Sequence, residues 1–188
     1  MSYNPQKAAQ TVAYLSLKNN RRPLNILKAV KLVYLADRES VRRFGFPIQD
    51  ETHYSMPQGP VNSTTYRHLR GEVPPDQENG WGDVLSDRHN HKVGLANDEI
   101  DADDLDELSD ADIAVLDAVW NEFGGMNQWQ LVDWTHDANN VPEWEDPNGS
   151  SNPIPLRRMM DALGIENVVE QETVVHDSQR ASAFLKAL

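Results

Sequence analysis

Asp37 is the residue that most invites a chemical interpretation, because it interrupts an otherwise apolar helical pattern over residues 24–44. When these residues are placed about 100° apart, most of their apolar side chains fall in one broad sector with Asp37 at its centre. A buried carboxylate without a partner would cost several kcal/mol, so Asp37 needs either hydrogen-bond donors or a catalytic purpose. We favour donors, from backbone N–H groups of a nearby corner such as residues 57–60, since buried charges are usually structural.

The histidines offer a second route to chemistry. His136 ends a predicted helix, where the helix dipole stabilises a cation, and it could cap that helix or exchange a proton. An enzyme that used Asp37 and His136 would need both side chains to converge in a solvent-accessible pocket. His89 and His91 lie two residues apart in a predicted turn, but no third ligand with suitable spacing is close. We therefore expect no metal site there.

The sequence lacks the short motifs that mark common enzymes. It has no GxxxxGK[ST], GxGxxG, HExxH or GxSxG pattern, and it has no cysteine, which excludes disulfides and thiol catalysis. We expect neither catalytic residues nor a cofactor. The longest apolar runs are far shorter than the roughly 20 residues that span a bilayer, and the first residues carry no apolar signal segment. A cytoplasmic protein without membrane contact is the expectation.

An acidic segment, residues 98–112, holds nine acids and no base. Asp101 and Asp103 have the spacing of a calcium loop, but Leu105 and Asp106 occupy the positions of the next ligand and the glycine. We interpret the segment as a solvated acidic linker that runs into a helix N-terminus, where acids are stabilised by the helix dipole.

The remaining pattern predicts mostly helices. Segments 84–87 and 92–96 predict a hairpin, to which 52–56 adds a third strand. The predicted helices cover about 5–19, 24–44, 109–123, 127–136 and 154–163, with another after the 57–60 corner and a last one that begins between 168 and 178 and runs to 188. We therefore expect a mainly α (α+β) fold. It is a single helical domain, 1–188, around a central long helix with a small antiparallel β-sheet or hairpin, and residues 154–188 pack on it or extend it.

The net charge of −13 is unevenly distributed along the chain. Residues 1–70 carry 11 Lys and Arg against 4 Asp and Glu, whereas residues 71–188 carry 6 against 26. A stripe of bases on the central helix could contact nucleic acid; it consists of Lys28, Lys31, Arg38 and Arg42. The acidic remainder would repel phosphates, so the charge disfavours nucleic acid and suits a basic protein partner.

Aromatic side chains near prolines are candidate anchors for such a partner. Trp144, close to Pro142, is our first choice among them. The alternative, which we place slightly ahead, is that Trp144 belongs to the core. Melting experiments on a Trp144→Ala variant would separate the two interpretations.

Several short motifs, taken in order over residues 5–145, resemble the Panacea domain of the SocA-like antitoxin family. The first part consists of KLVYLAD at 31–37, FG at 44–45, PI at 47–48 and MPQGPV at 56–61, followed by Tyr66. The second part consists of Trp120, Phe123, Leu131, Thr135, His136, Pro142 and Trp144.

The resemblance implies a helical, single-domain antitoxin that is encoded beside a toxin and neutralises it by direct contact, with no enzymatic activity. A proteolytic adaptor that delivers the toxin to a cytosolic protease is the alternative. The expected partner is a cognate toxin, basic in charge, together with a protease in the alternative case. The motif or partner-binding residues that the resemblance marks are Tyr34, Asp37, Met56, Pro57, Gly59, Pro60, Tyr66, Thr135, His136 and Trp144.

Overall fold

The long helix predicted at the centre of the fold is confirmed, and we call it α2 (Ile26–Phe44). It begins after Asn25, whose side chain accepts hydrogen bonds from two N–H groups of the first turn. It ends at Gly45, whose φ of 78° is favourable for glycine. Residues 29–37 are all buried, so the middle of α2 is surrounded by protein on every side.

The structure is a computed structural model that describes residues 3–74, 77 and 79–185. The other helices are α1 (Pro5–Lys18), α3 (Ser63–Leu69), α4 (Trp81–Val84), α5 (Asp110–Phe123), α6 (Gln128–His136), α7 (Leu156–Ala162) and α8 (Val168–Leu185). The strands are β1 (Leu24–Asn25), β2 (His53–Met56), β3 (Gly59–Asn62), β4 (Lys92–Val93) and β5 (Asn152–Ile154). The expected mainly α fold with small antiparallel sheets is confirmed.

The main sheet lies against α2. Strands β2 and β3 form a tight antiparallel hairpin that pairs Met56 with Gly59 and His53 with Asn62. The 57–60 corner is therefore the turn of a hairpin, with Pro57 and Gln58 at its exposed tip. Strand β5 pairs with the other edge of β2, so the strand order is β3-β2-β5.

The hairpin predicted within residues 81–97 is present in part. Trp81 and Val84 are both buried at a spacing of three, which suits a helical turn, and they form α4 instead of leading into a strand. Beyond α4, the predicted segments 84–87 and 92–96 do pair antiparallel, because Leu85 bridges Leu95 and the N–H of Ser86 donates to the carbonyl oxygen of Gly94. The third strand predicted for this hairpin, 52–56, is wrong, because that segment forms β2 and pairs with β3 and β5 instead. Strand β4 pairs with β1 at the start of α2.

The other helices surround α2. Helices α5 and α6 pack against it, and α1, whose buried residues include Ala8, Ala9 and Ala13, contacts α2, α4 and α5. Helix α7 contacts α2 and also packs on α8, whose Val175 is buried. That residues 1–188 form one domain remains a prediction. The predicted end of the last helix, 186–188, lies outside the described residues.

The acidic segment, residues 98–112, is more firmly attached than a solvated linker. Leu105 and Leu108 are buried, and Gln10 of α1 donates to Asp106 and accepts from the backbone N–H of Glu107.

Within the described parts of the chain, no helix is long and apolar enough to cross a membrane.

Candidate functional site

The carboxylate of Asp37 is fully buried and receives three hydrogen bonds. Its Oδ1 accepts from the backbone N–H of Gln49 at 2.9 Å. Its Oδ2 accepts from Asn62 Nδ2 at 2.7 Å and lies 2.9 Å from His53 Nε2, which donates in the tautomer that a carboxylate selects. The structural interpretation of Asp37 agrees with these contacts. The prediction that backbone N–H groups of residues 57–60 supply the donors is wrong. The donors come from the segment after α2 and from the two strands of the hairpin, not from its turn.

Lys31 holds the turn of the hairpin. Its side chain is fully buried, and Nζ donates to the carbonyl oxygen of Pro60 at 2.8 Å. Burial lowers the pKa of Lys31 to about 7. Lys31 belongs to the basic stripe of α2 but cannot contact nucleic acid there, because the hairpin covers this side of the helix.

Gly59 allows the close approach between the turn and its neighbours. Its φ is +94°, a region that favours glycine. A Cβ at this position would lie 2.7 Å from Thr135 Oγ1 and 2.9 Å from Lys31 Nζ. The hairpin turn is therefore seated directly on α2 and the end of α6.

Trp144 covers the other side of the turn. Its indole Nε1 donates to the carbonyl oxygen of Met56 at 3.1 Å, and its ring stacks on His136 with centroids 4.3 Å apart. Burial, followed by the nearby charge of Lys31, lowers the pKa of His136. Trp144 is half-buried and packs against the core. These contacts support the core interpretation of Trp144.

Glu143 belongs to the same group of buried polar side chains around the hairpin, which we call the polar cluster. This residue was not identified from the sequence. Its Oε1 accepts from the Tyr34 hydroxyl at 2.8 Å and from Arg38 Nε at 2.7 Å. Burial, followed by the nearby carboxylate of Glu143, raises the pKa of Tyr34. No local pattern around Glu143 signals that it is buried. For Lys31, a usable signal existed, because the central helix is apolar almost all round and leaves little solvent for its bases.

A family model described as "Antitoxin SocA-like, Panacea domain" matches residues 30–145 of the chain. The chain belongs to this family. The match begins within α2 and ends just after Trp144, so it contains the whole polar cluster around the hairpin. No match to the chain was found among curated proteins or solved structures.

The Panacea motif residues fall into two groups. Those that meet around the hairpin are Tyr34, Asp37, Met56, Gly59, Pro60, Thr135, His136 and Trp144. Two others face elsewhere: Pro57 is exposed at the tip, and Tyr66 on α3 lies beneath the guanidinium of Arg70. The arrangement fixes a hairpin on a helix through hydrogen bonds.

The described residues hold no group of His, Asp and Glu side chains suited to a metal ion. His89 and His91 are exposed, as expected for residues in a turn.

Proposed function

We propose that this chain is an antitoxin that neutralises a cognate protein toxin in the cytoplasm by direct binding, without catalysis. One observation carries the proposal: the chain is a Panacea domain in which Asp37, Lys31 and Tyr34 are buried and use their polar atoms in hydrogen bonds inside the fold. Asp37 receives three donors, and Lys31 holds the hairpin turn. The motif thus acts as a scaffold, and function falls to the surfaces that the scaffold presents.

The charge of the chain supports a basic partner. The net charge is −13, and several acids of the acidic segment are exposed and have no hydrogen-bond or ion-pair partner for their carboxylates among the described residues. These are Asp98, Glu99, Asp103 and Asp110. Such charges accelerate encounter with a partner of opposite sign.

Two other functions receive less support from the contacts. An enzyme built on Asp37 and His136 needs both side chains in one open pocket, whereas Asp37 is fully buried and His136 stacks on Trp144. A nucleic-acid binder needs free bases on α2, whereas Lys31 is buried and Arg38 is paired with Glu143.

Co-expression with the toxic open reading frame beside this gene tests the proposal. We expect growth to be restored and the toxin to co-purify with this chain. The abundance of the toxin should not fall. Restoration that depends on a cytosolic protease, with loss of the toxin and no stable complex, would instead favour the proteolytic adaptor. If no neighbouring product is toxic, or if toxicity persists on co-expression, the antitoxin proposal is wrong.

A further inference from the structure

A groove of about 480 Å³ lies where the start of α2, α3 and the start of α6 meet. We call it the Trp129 groove, after the aromatic side chain on its rim. The residues important here are Gln58, Tyr66, Arg70, Arg88, His91 and Trp129. The polar cluster around Asp37 does not line it.

Trp129 is exposed, with 56% of its surface accessible to solvent. It lies in the first turn of α6, where Asn127 caps the backbone N–H of Trp129. The side chain itself is not needed to start the helix. An exposed indole beside a groove can bury a large apolar area on a partner, which is the pattern of an interface anchor.

The charge of the groove is opposite to that of the chain. Arg70, Arg88 and His91 line it, and none of its described lining residues is Asp or Glu. Arg88 Nη1 donates to the carbonyl oxygen of Arg70, which places the Arg88 guanidinium beside the C-terminal end of α3. Arg70 lies over the Tyr66 ring, and its exposed ion pair with Glu72 is screened by solvent. The groove is thus a basic spot in a chain with 30 acids and 17 Lys and Arg.

The buried cluster fixes one wall of this groove. Gln58 lines the groove from the exposed tip of the β2–β3 hairpin. The same turn is held from behind by Lys31 on Pro60 and by the close packing at Gly59. A rigid wall lowers the entropy lost when a partner binds.

We propose that the Trp129 groove docks an acidic segment of the cognate toxin, with an apolar or aromatic side chain of that segment packed on Trp129. This inference rests on the proposed antitoxin function. A toxin that is basic overall, with one acidic segment, would complement both the acidic surface and the basic groove, and the two signs together would fix its orientation.

A single-stranded nucleic acid also stacks on aromatic side chains beside arginines. A polyanion, however, would meet the field of a chain whose net charge is −13, whereas a short protein segment brings only a few charges to the groove. The charge distribution therefore favours the toxin segment.

Binding of the purified neighbouring toxic protein to purified variants tests the inference. We expect Trp129→Ala and Arg88→Glu each to weaken the complex about tenfold or more, mainly through faster dissociation. Two controls match them: Phe44→Ala, an exposed aromatic at the far end of α2, and Arg67→Glu, an exposed base on α3 outside the groove. Their affinities should stay within about twofold of wild type. Melting temperatures should be unchanged for all four.

The outcomes are distinguishable. If both groove variants bind the toxic protein as tightly as wild type does, the groove assignment is wrong but the proposed antitoxin function stands. No binding by the wild-type protein overturns both. A fluorescent single-stranded oligothymidine that binds wild type but not Trp129→Ala would make the groove a nucleic-acid site and overturn the toxin segment. A wild-type dimer that Trp129→Ala dissociates would assign the groove to a second copy of the chain, with the same consequence.

Discussion

Asn62 Nδ2 lies 2.7 Å from Asp37 Oδ2, a hydrogen bond that ties strand β3 to the middle of helix α2. The same carboxylate also binds the backbone of Gln49 and the ring of His53. Asp37 thus joins three consecutive parts of the chain, the segment after α2 and both strands of the hairpin, at one buried point.

Asp37→Ala should therefore lower the free energy of unfolding by about 3–5 kcal/mol, because it leaves buried donors without an acceptor. Urea unfolding measures the change. Asp133→Ala, at an exposed position of α6, is the control and should shift stability by less than about 0.5 kcal/mol. Equal effects of the two substitutions would contradict the role of Asp37.

Gly59→Ala should lower the free energy of unfolding by about 1–3 kcal/mol, since it adds both backbone strain and a contact with Thr135 and Lys31. Gly149→Ala is a matched control, because Gly149 has a φ of +83° but open space around its Cβ position. The Gly149→Ala variant should lose only the free energy of the backbone strain at positive φ. Calorimetry compares the two, and a Gly149 variant at least as destabilised as the Gly59 variant would rule out close packing at the turn.

Lys31 should make stability rise with pH between about 7 and 10.5, because its folded pKa of about 7 lies below its ordinary value of 10.5. In that interval the unfolded chain binds more protons than the folded chain, so raising the pH favours folding. Below about pH 7 both states are protonated and the dependence disappears.

The measurement is urea unfolding of wild type and Lys31→Met at a series of pH values up to about 9.5. Wild type should gain on the order of 1–3 kcal/mol relative to the variant across this interval. A constant difference between the two proteins would show that Lys31 titrates normally.

The fold was predictable where local signals act alone. The periodicity of α2, the start of α1 after Asn4 and the Ser109–Asp112 capping box depend on neighbouring residues, and the structure contains all three. Within residues 81–97, the local pairing of Leu85 with Leu95 was predictable, but the distant partner of β4 was not. That partner is Leu24–Asn25, which no local pattern specifies.

The residues of the candidate site were predictable in part, but the contacts between them were not. The resemblance named Asp37, Gly59 and Trp144, but the contacts that give them meaning join residues far apart in the chain. Lys31 with Pro60 and Tyr34 with Glu143 are examples. A helical wheel assigns a side chain to a face but cannot say which element covers that face.

Trp144→Ala should lower the free energy of unfolding by about 2–4 kcal/mol, because it removes the stack on His136 and the hydrogen bond to Met56. Trp144→Phe keeps an aromatic ring and should lose about 1 kcal/mol. Trp129→Ala is the matched tryptophan control, with no change in melting temperature expected. If Trp144→Ala melts like wild type but no longer neutralises the toxin, Trp144 is an interface anchor and not a core residue.

Replacing Asp98, Glu99, Asp103 and Asp110 by Asn or Gln should slow association with the toxin and flatten its dependence on salt. These side chains are exposed, and the change takes the net charge from −13 to −9. The capping acids Asp101 and Asp104 are kept so that the local turn is preserved. Stopped-flow association at several salt concentrations measures the effect, and unchanged rates would exclude steering by the acidic segment.

Sedimentation velocity of the purified protein mixed with the purified neighbouring toxic protein, without any protease, tests direct neutralisation most directly. We expect one faster-sedimenting complex at the expense of both free proteins, and we expect the mixture to lose the toxin's activity. Two independently sedimenting species, with the toxin fully active, would contradict the account.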